Sequence, residues 1–149
     1  MRRYNHRARF LAVALSALAG YTDALGFLSL GGFFVSFMSG NSTRLAVGLA
    51  EGSSAAAIAG SLIVLFVLGV VLGSLTGEFF GRRHRAIPIL VALLLFAAAA
   101  SHTLGIDRAA LAAMVLAMGA ENTLFERDGE VSIGVTYMTG TLVKLGQAL

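Results

Sequence analysis

The chain has 149 residues, of which 57% are hydrophobic and 13% are charged, and its formal net charge is +3. Soluble domains usually have about a quarter of their residues charged, and a chain this short cannot bury so much apolar surface in one water-soluble core. The composition therefore excludes an ordinary soluble domain and predicts an integral membrane protein. Most of the positive charge lies in residues 2–9 and 82–85, beside apolar runs. This placement predicts the lipid bilayer as a partner and excludes nucleic acid.

Six apolar segments separated by short polar turns predict an all-α, polytopic transmembrane helix bundle that forms a single membrane domain over 1–149. The first segment follows a basic head, and Ala17–Ala19 within it also fits a signal-peptide cleavage site. We expect an uncleaved helix, because the apolar run resumes beyond Asp23 and further spans follow. Pro88 is predicted in the first turn of the fourth segment, and Asp107 is predicted to cap the fifth. Gly31 and Gly32 interrupt the apolar pattern after the first segment, and FERDGE (125–130) is predicted as a charged turn. The segments are 10–30, 31–50, 55–80, 87–101, 108–124 and 131–149.

An internal repeat is predicted from two similar parts of the chain, about 10–50 and about 108–149. Gly20, Asp23 and Leu25 align with Gly119, Asn122 and Leu124. After a gap of one residue, VSFMSGN (35–41) aligns with VTYMTGT (135–141), and Arg44 aligns with Lys144. The ordered match of these residue types is difficult to obtain from composition alone, although a chance alignment remains the alternative.

The basic clusters predict the orientation of the chain, with the N-terminus and residues 82–85 both cytoplasmic. An even number of crossings must then separate them, so segment 31–50 is expected to be re-entrant or broken rather than a full span. The two copies would then form an inverted repeat, as in many secondary transporters. If segment 31–50 crosses completely, the copies are parallel instead.

Two stretches carry a family resemblance, one around GYTDALGF and MSGN and the other around GAEN and TYMTGTL. They resemble the hallmark segments of the DUF1275 (YoaK-like) family of bacterial multi-pass membrane proteins of uncharacterised function. The resemblance covers nearly the whole chain, and the TYMTGTL motif is its most specific part. It implies about two further helices, so we interpret the chain as a C-terminally truncated member. Ser39 and Glu121 stand where the resemblance implies Thr and Gln.

Polar residues inside apolar segments are the candidate site, because such residues usually face a cavity or a partner in membrane proteins. Arg44 and Lys144 are candidate charge partners of an anionic solute. The alternatives are that Asp23 pairs with Arg44 or caps a half-helix, that the small residues serve helix packing, and that the cations extend to the headgroups. The candidate solute-binding residues are Asp23, Ser39, Gly40, Asn41, Asn122, Thr139, Gly140 and Thr141.

The pattern predicts a transporter-like protein of the bacterial inner membrane that binds or moves a small polar or ionic solute at a midplane site between the copies. The alternative is a structural or partner-binding membrane protein, and a homo-oligomer fits either. We expect no enzyme, because no convincing nucleophile–base pair or metal cluster is present. We expect no metal and no cofactor.

Overall fold

A computed structural model of the chain describes residues 6–81 and 83–124, together with 126–127, 130–131 and 146–147. It confirms the all-α membrane architecture. Two short strands, Glu126–Arg127 (β1) and Glu130–Val131 (β2), pair antiparallel where the sequence predicts a charged turn. The helices are α1 (His6–Ser29), α2 (Met38–Glu51), α3 (Ala55–Phe80), α4 (Arg83–Thr103) and α5 (Asp107–Glu121).

Three of these helices are long and apolar enough to cross a bilayer: α1 from Phe10, α3 and α4. Their outward faces carry large apolar side chains, such as Val64, Phe79 and Phe96. In water such faces would be unfavourable, whereas in lipid they match the surrounding hydrocarbon. α2 is shorter, since its 14 residues extend about 21 Å, against a hydrocarbon core of roughly 30 Å. Its length favours the predicted partial crossing of segment 31–50.

The helix α5 lies at the centre of the described bundle and packs against α1, α3 and α4, while α2 packs against α3. Close approach of α3 and α5 depends on glycine. A Cβ at Gly119 would meet the carbonyl oxygen of Phe66 and the Cα of Gly69, and a Cβ at Gly73 would meet the Cα of Ala120 at 2.9 Å. Small residues allow membrane helices to approach in this way. The apolar core includes Leu62, Ile87, Val115 and Met118.

Two local predictions about helix ends are wrong. Pro88 lies inside α4, five residues after its start at Arg83, rather than in the first turn. The helix begins earlier than its apolar run because arginine is a good helix former and extends its charge towards the interface. Asp107 is the first residue of α5, and Ile106 occupies the N-cap position. The Asp107 carboxylate instead contacts Nδ1 of His102 at 2.9 Å.

Candidate functional site at the α1–α2 break

The feature that separates this fold from a plain helical hairpin is the non-helical stretch 30–37 between α1 and α2. The sequence predicts an interruption at Gly31 and Gly32, and the structure confirms it. Both residues adopt positive φ angles, 66° and 100°, which glycine accepts without steric cost. Gly32 N–H donates to the carbonyl of Phe27 at 2.8 Å and so closes the end of α1. Gly20 and Gly26 flank Asp23, yet α1 is not broken there, because the helix continues through this residue to Ser29.

Asp23 holds this stretch against α1 by accepting four hydrogen bonds. Its Oδ1 accepts from the backbone N–H groups of Val35 at 2.8 Å, Ser36 at 2.6 Å and Phe37 at 3.3 Å. Its Oδ2 accepts from the Ser36 hydroxyl at 2.6 Å. These donors directly precede α2, where backbone N–H groups have no helical acceptor and a negative charge is favourable. The carboxylate thus caps the approach to α2, one of the two structural roles that the sequence leaves open.

Asn41 performs the complementary task from within α2. Its side chain is fully buried, and its amide pairs with both backbone groups of one residue, Phe34. Oδ1 accepts from Phe34 N–H at 3.0 Å, and Nδ2 donates to the Phe34 carbonyl at 2.7 Å. An irregular backbone in an apolar environment needs such internal partners. Asp23 and Asn41 together therefore satisfy the backbone polar groups of residues 34–37 that face them.

Two glycines let the stretch lie flat against its neighbours. A Cβ at Gly26 would collide with the Val35 side chain, so α1 and the stretch are in direct contact there. A Cβ at Gly40 would come within 2.8 Å of the rings of both Phe34 and Phe37. The structure thus places Gly40, a predicted solute-binding residue, under two aromatic rings.

Arg44 lies on α2 and returns over the same stretch. Its guanidinium carbon is 5.0 Å from the centre of the Phe33 ring, a cation–π distance. It also lies against Gly32, where a Cβ would collide with the guanidinium. Within the described part of the chain Arg44 makes no ion pair, so it does not pair with Asp23. The positive charge therefore remains close to the start of α2.

Ser39 differs from the other predicted site residues that the structure describes, because it is exposed. It lies in the first turn of α2, and neither its hydroxyl nor its backbone N–H has a hydrogen-bond partner among the described residues. Of the described residues in the predicted first copy, Ser39 and Arg44 thus have donors available to another molecule: the Ser39 hydroxyl and N–H, and the Arg44 guanidinium.

The predicted second copy begins in α5, and α5 contacts α1 of the predicted first copy. The Thr22 hydroxyl, next to Asp23, contacts the Met118 sulfur at 3.1 Å, and both residues are buried. Asn122 follows the end of α5, and its Nδ2 donates to the Met118 carbonyl at 2.8 Å. The remaining predicted residues, Thr139, Gly140, Thr141 and Lys144, lie outside the described residues.

Sequence reasoning did not single out Ser36 and Thr22. Ser36 belongs to the aligned motif 35–41 but was not chosen as a site residue. Its contact with Asp23 spans thirteen residues of chain. Thr22 contacts a partner 96 residues away. Their positions could have indicated them, because both are polar residues in predicted membrane segments and both lie within the aligned parts of the predicted repeat.

Ser36 in the break and Ser39 in the first turn of α2 allow a matched test of this geometry. We expect Ser36→Ala to lower the free energy of unfolding by about 1.5–3 kcal/mol, since hydrogen bonds to charged groups contribute about that much. We expect Ser39→Ala to change it by less than about 0.5 kcal/mol, because the side chain is exposed and unpartnered. Helical circular dichroism during an SDS titration in detergent micelles measures both. Equal effects of the two substitutions would contradict the described role of Ser36.

Comparison with known proteins places the chain in a family. The profile of the family described as "Protein of unknown function (DUF1275)" matches residues 11–149. The chain therefore belongs to the DUF1275 family. It is 36% identical over 139 residues to UPF0700 transmembrane protein RA0705 of Rhizobium meliloti (strain 1021). The match covers 93% of this chain and 60% of that relative, and no solved structure matches. DUF1275 membership and a transmembrane relative agree with the resemblance in the sequence and with the three apolar spans.

Proposed function

We propose that this DUF1275 chain is a transporter-like protein of the bacterial inner membrane, which binds or moves a small polar or ionic solute between its two predicted repeat copies. The observation that carries the proposal is the non-helical stretch 30–37 inside an otherwise apolar sequence. Irregular backbone at membrane depth is tolerated where it is buried in protein or lines a water-filled cavity. Broken helices at such positions are a common way to build transporter sites.

The start of α2 has the chemistry for a solute with hydrogen-bond acceptor oxygens. Helix N-termini carry partial positive charge, and Arg44 adds a full charge nearby. The side chains of Asp23 and Asn41 are hydrogen-bonded to residues 34–37. We therefore propose that they position this stretch and do not contact the solute directly. Ser39 offers an unpartnered hydroxyl and N–H, so we assign it to direct contact with the solute.

The second copy completes the proposed site. The contact between Thr22 and Met118 brings the Asp23 region of α1 next to the end of α5, where Asn122 follows. The predicted repeat aligns Ser39, Gly40, Asn41 and Arg44 with Thr139, Gly140, Thr141 and Lys144, so we assign the second group to the other half of the proposed site. We propose that the protein is not an enzyme and that its N-terminus is cytoplasmic. A homo-oligomer is compatible with this proposal.

A second candidate function has its own supporting observation. The glycines Gly69, Gly73 and Gly119 are in direct contact between α3 and α5, as expected of residues that serve helix packing. A structural or partner-binding protein would need this packing and no aqueous access to the break. Access of water to Ser39 therefore distinguishes the two candidates.

The test uses single cysteines, which is straightforward because the chain contains none. We expect Ser39→Cys to react with a membrane-impermeant thiol reagent in intact cells or inverted vesicles, because transport requires water to reach the site. Thr139→Cys, its counterpart in the predicted second copy, is expected to react as well. A solute that binds at the site should slow both reactions.

Two further cysteines calibrate the experiment. Val64→Cys lies on the outward face of α3, 59% exposed in the isolated chain, and should be protected by lipid. Arg85→Cys lies in the basic cluster and should react from the cytoplasmic side. If Ser39→Cys is as unreactive as Val64→Cys from both sides, the break is closed to water and the structural candidate replaces the transporter.

A further inference from the structure

Glu121 is a completely buried carboxylate, whereas Asp23 is half-buried and Glu51, Glu78 and Asp107 are exposed. Its side chain is 1% exposed and lies at the last residue of α5. The other buried polar residues there are Thr22, Ser36, Asn41 and Thr123, none of which carries a titratable group.

The side chains of those four residues all have hydrogen-bond partners, whereas the carboxyl group of Glu121 has none. Thr22 and Thr123 donate to the carbonyls of Ala19 and Ala120, and Ser36 and Asn41 hold the break. Both carboxyl oxygens of Glu121 are buried without a partner. Within the described residues the only other buried side-chain oxygen without a partner is the Ser53 hydroxyl, which does not titrate. Glu121 is therefore the buried titratable group that the described part of the fold leaves unsatisfied.

The position of Glu121 on α5 places it between two helices. Ala120 packs on Gly73 of α3, and Met118 contacts Thr22 of α1. At about 100° per residue, Glu121 falls between Ala120 and Met118 around the helix. Thr22 is also its counterpart in the predicted repeat, so the titratable group occurs once rather than twice.

The charged groups on the helices packed against α5 do not neutralise Glu121. On α1, Asp23 uses its oxygens for residues 35–37, and on α3 Glu78 is exposed. On α4, Arg83, His84 and Arg85 stand at the start of the helix, and His102 pairs with Asp107 at the other end. Within the described residues none of them makes a hydrogen bond or an ion pair with Glu121.

We propose that Glu121 is a proton-binding site of the membrane domain, occupied by a proton in the state that the structure shows. An ionised carboxylate without partners is very unfavourable in an apolar interior, and a bound proton removes that cost. A metal cation would need several oxygen ligands. Among the described residues no group of three His, Asp or Glu side chains could hold one. A proton needs no ligand besides Glu121 itself.

This proton site stands independently of the proposed solute site, although coupling between them rests on the proposed function. Glu121 lies one turn from Met118, which contacts the residue next to Asp23. Loss of the proton would leave a buried charge that attracts water or a cation to the α1–α5 contact. Such a change would shift α1, which leads into the break. Proton binding would thereby control solute access.

Infrared spectroscopy of the chain in lipid vesicles tests the proton site. We expect the carbonyl stretch of one protonated carboxyl group per chain at neutral pH, and we expect it to disappear in Glu121→Gln, whose amide has nearly the same shape. Glu78→Gln, which removes an exposed carboxylate, should leave the band intact.

Two results would overturn the proposal. One is a band that persists unchanged in a folded Glu121→Gln variant, and the other is a wild-type chain with no protonated carboxyl group at neutral pH. The second result needs no variant and therefore decides the matter even if Glu121→Gln does not fold. An unreactive Ser39→Cys would remove the solute site but leave the infrared result standing, so the two proposals fail separately.

Discussion

Replacing Asp23 by alanine is expected to lower the free energy of unfolding by about 3 kcal/mol, since the loss of this half-buried acceptor leaves three part-buried donors without partners at about 1–3 kcal/mol each. In all, Asp23 has four donors, which are three backbone N–H groups and the Ser36 hydroxyl. The consequence extends beyond the break, because α1 contacts the other described helices only through α5. Without Asp23, α1 keeps its contact with α5 but loses its hydrogen bonds to residues 35–37.

The matched control is Asp107→Ala, which removes a carboxylate of the same type from an exposed pair. Asp107 and His102 have side-chain exposures of 77% and 78%, and such surface pairs contribute at most about 1 kcal/mol. Helicity during an SDS titration in micelles measures both variants. If Asp23→Ala is as stable as Asp107→Ala, the carboxylate does not hold the break, and Asp23 becomes available as a solute ligand.

The second large effect is expected at Gly119, where we predict that Gly119→Ala costs about 1–3 kcal/mol by overpacking and that Gly119→Leu costs more. A Cβ there meets backbone atoms of α3: the Phe66 carbonyl, the Val70 nitrogen and the Gly69 Cα. Backbone atoms cannot rotate away as side chains do, so the two helices must move apart. The packing around Met118 and the buried Glu121 would be disturbed with them.

Gly20 provides the control, because it is the counterpart of Gly119 in the predicted repeat and lies on an exposed face of α1. A Cβ at Gly20 has no neighbour within 4 Å. We therefore expect Gly20→Ala to be neutral or stabilising by up to about 1 kcal/mol, since alanine is the better helix former. Similar losses at both glycines would mean that the close α3–α5 approach does not decide the result.

The sequence alone was sufficient for the class of protein and for its longest elements. Hydropathy and length are local properties, so the bounds of α3 were predicted correctly at Ala55–Phe80, and the break at Gly31 and Gly32 followed from two adjacent glycines. Helix ends were less accurate, because the start of α4 and the cap of α5 depend on interfacial charge and on the contact between His102 and Asp107 rather than on the apolar pattern.

Only the tertiary structure decided what the polar residues do. Asp23 and Glu121 are both carboxylates within apolar segments, yet one meets four donors and the other none. Gly20 and Gly119 are aligned in the predicted repeat, yet only Gly119 touches another helix. These differences arise because a hydrogen bond or a close helix contact depends on which distant segment comes within a few ångströms. Composition and periodicity determine that a segment enters the membrane, but not which neighbour it meets there.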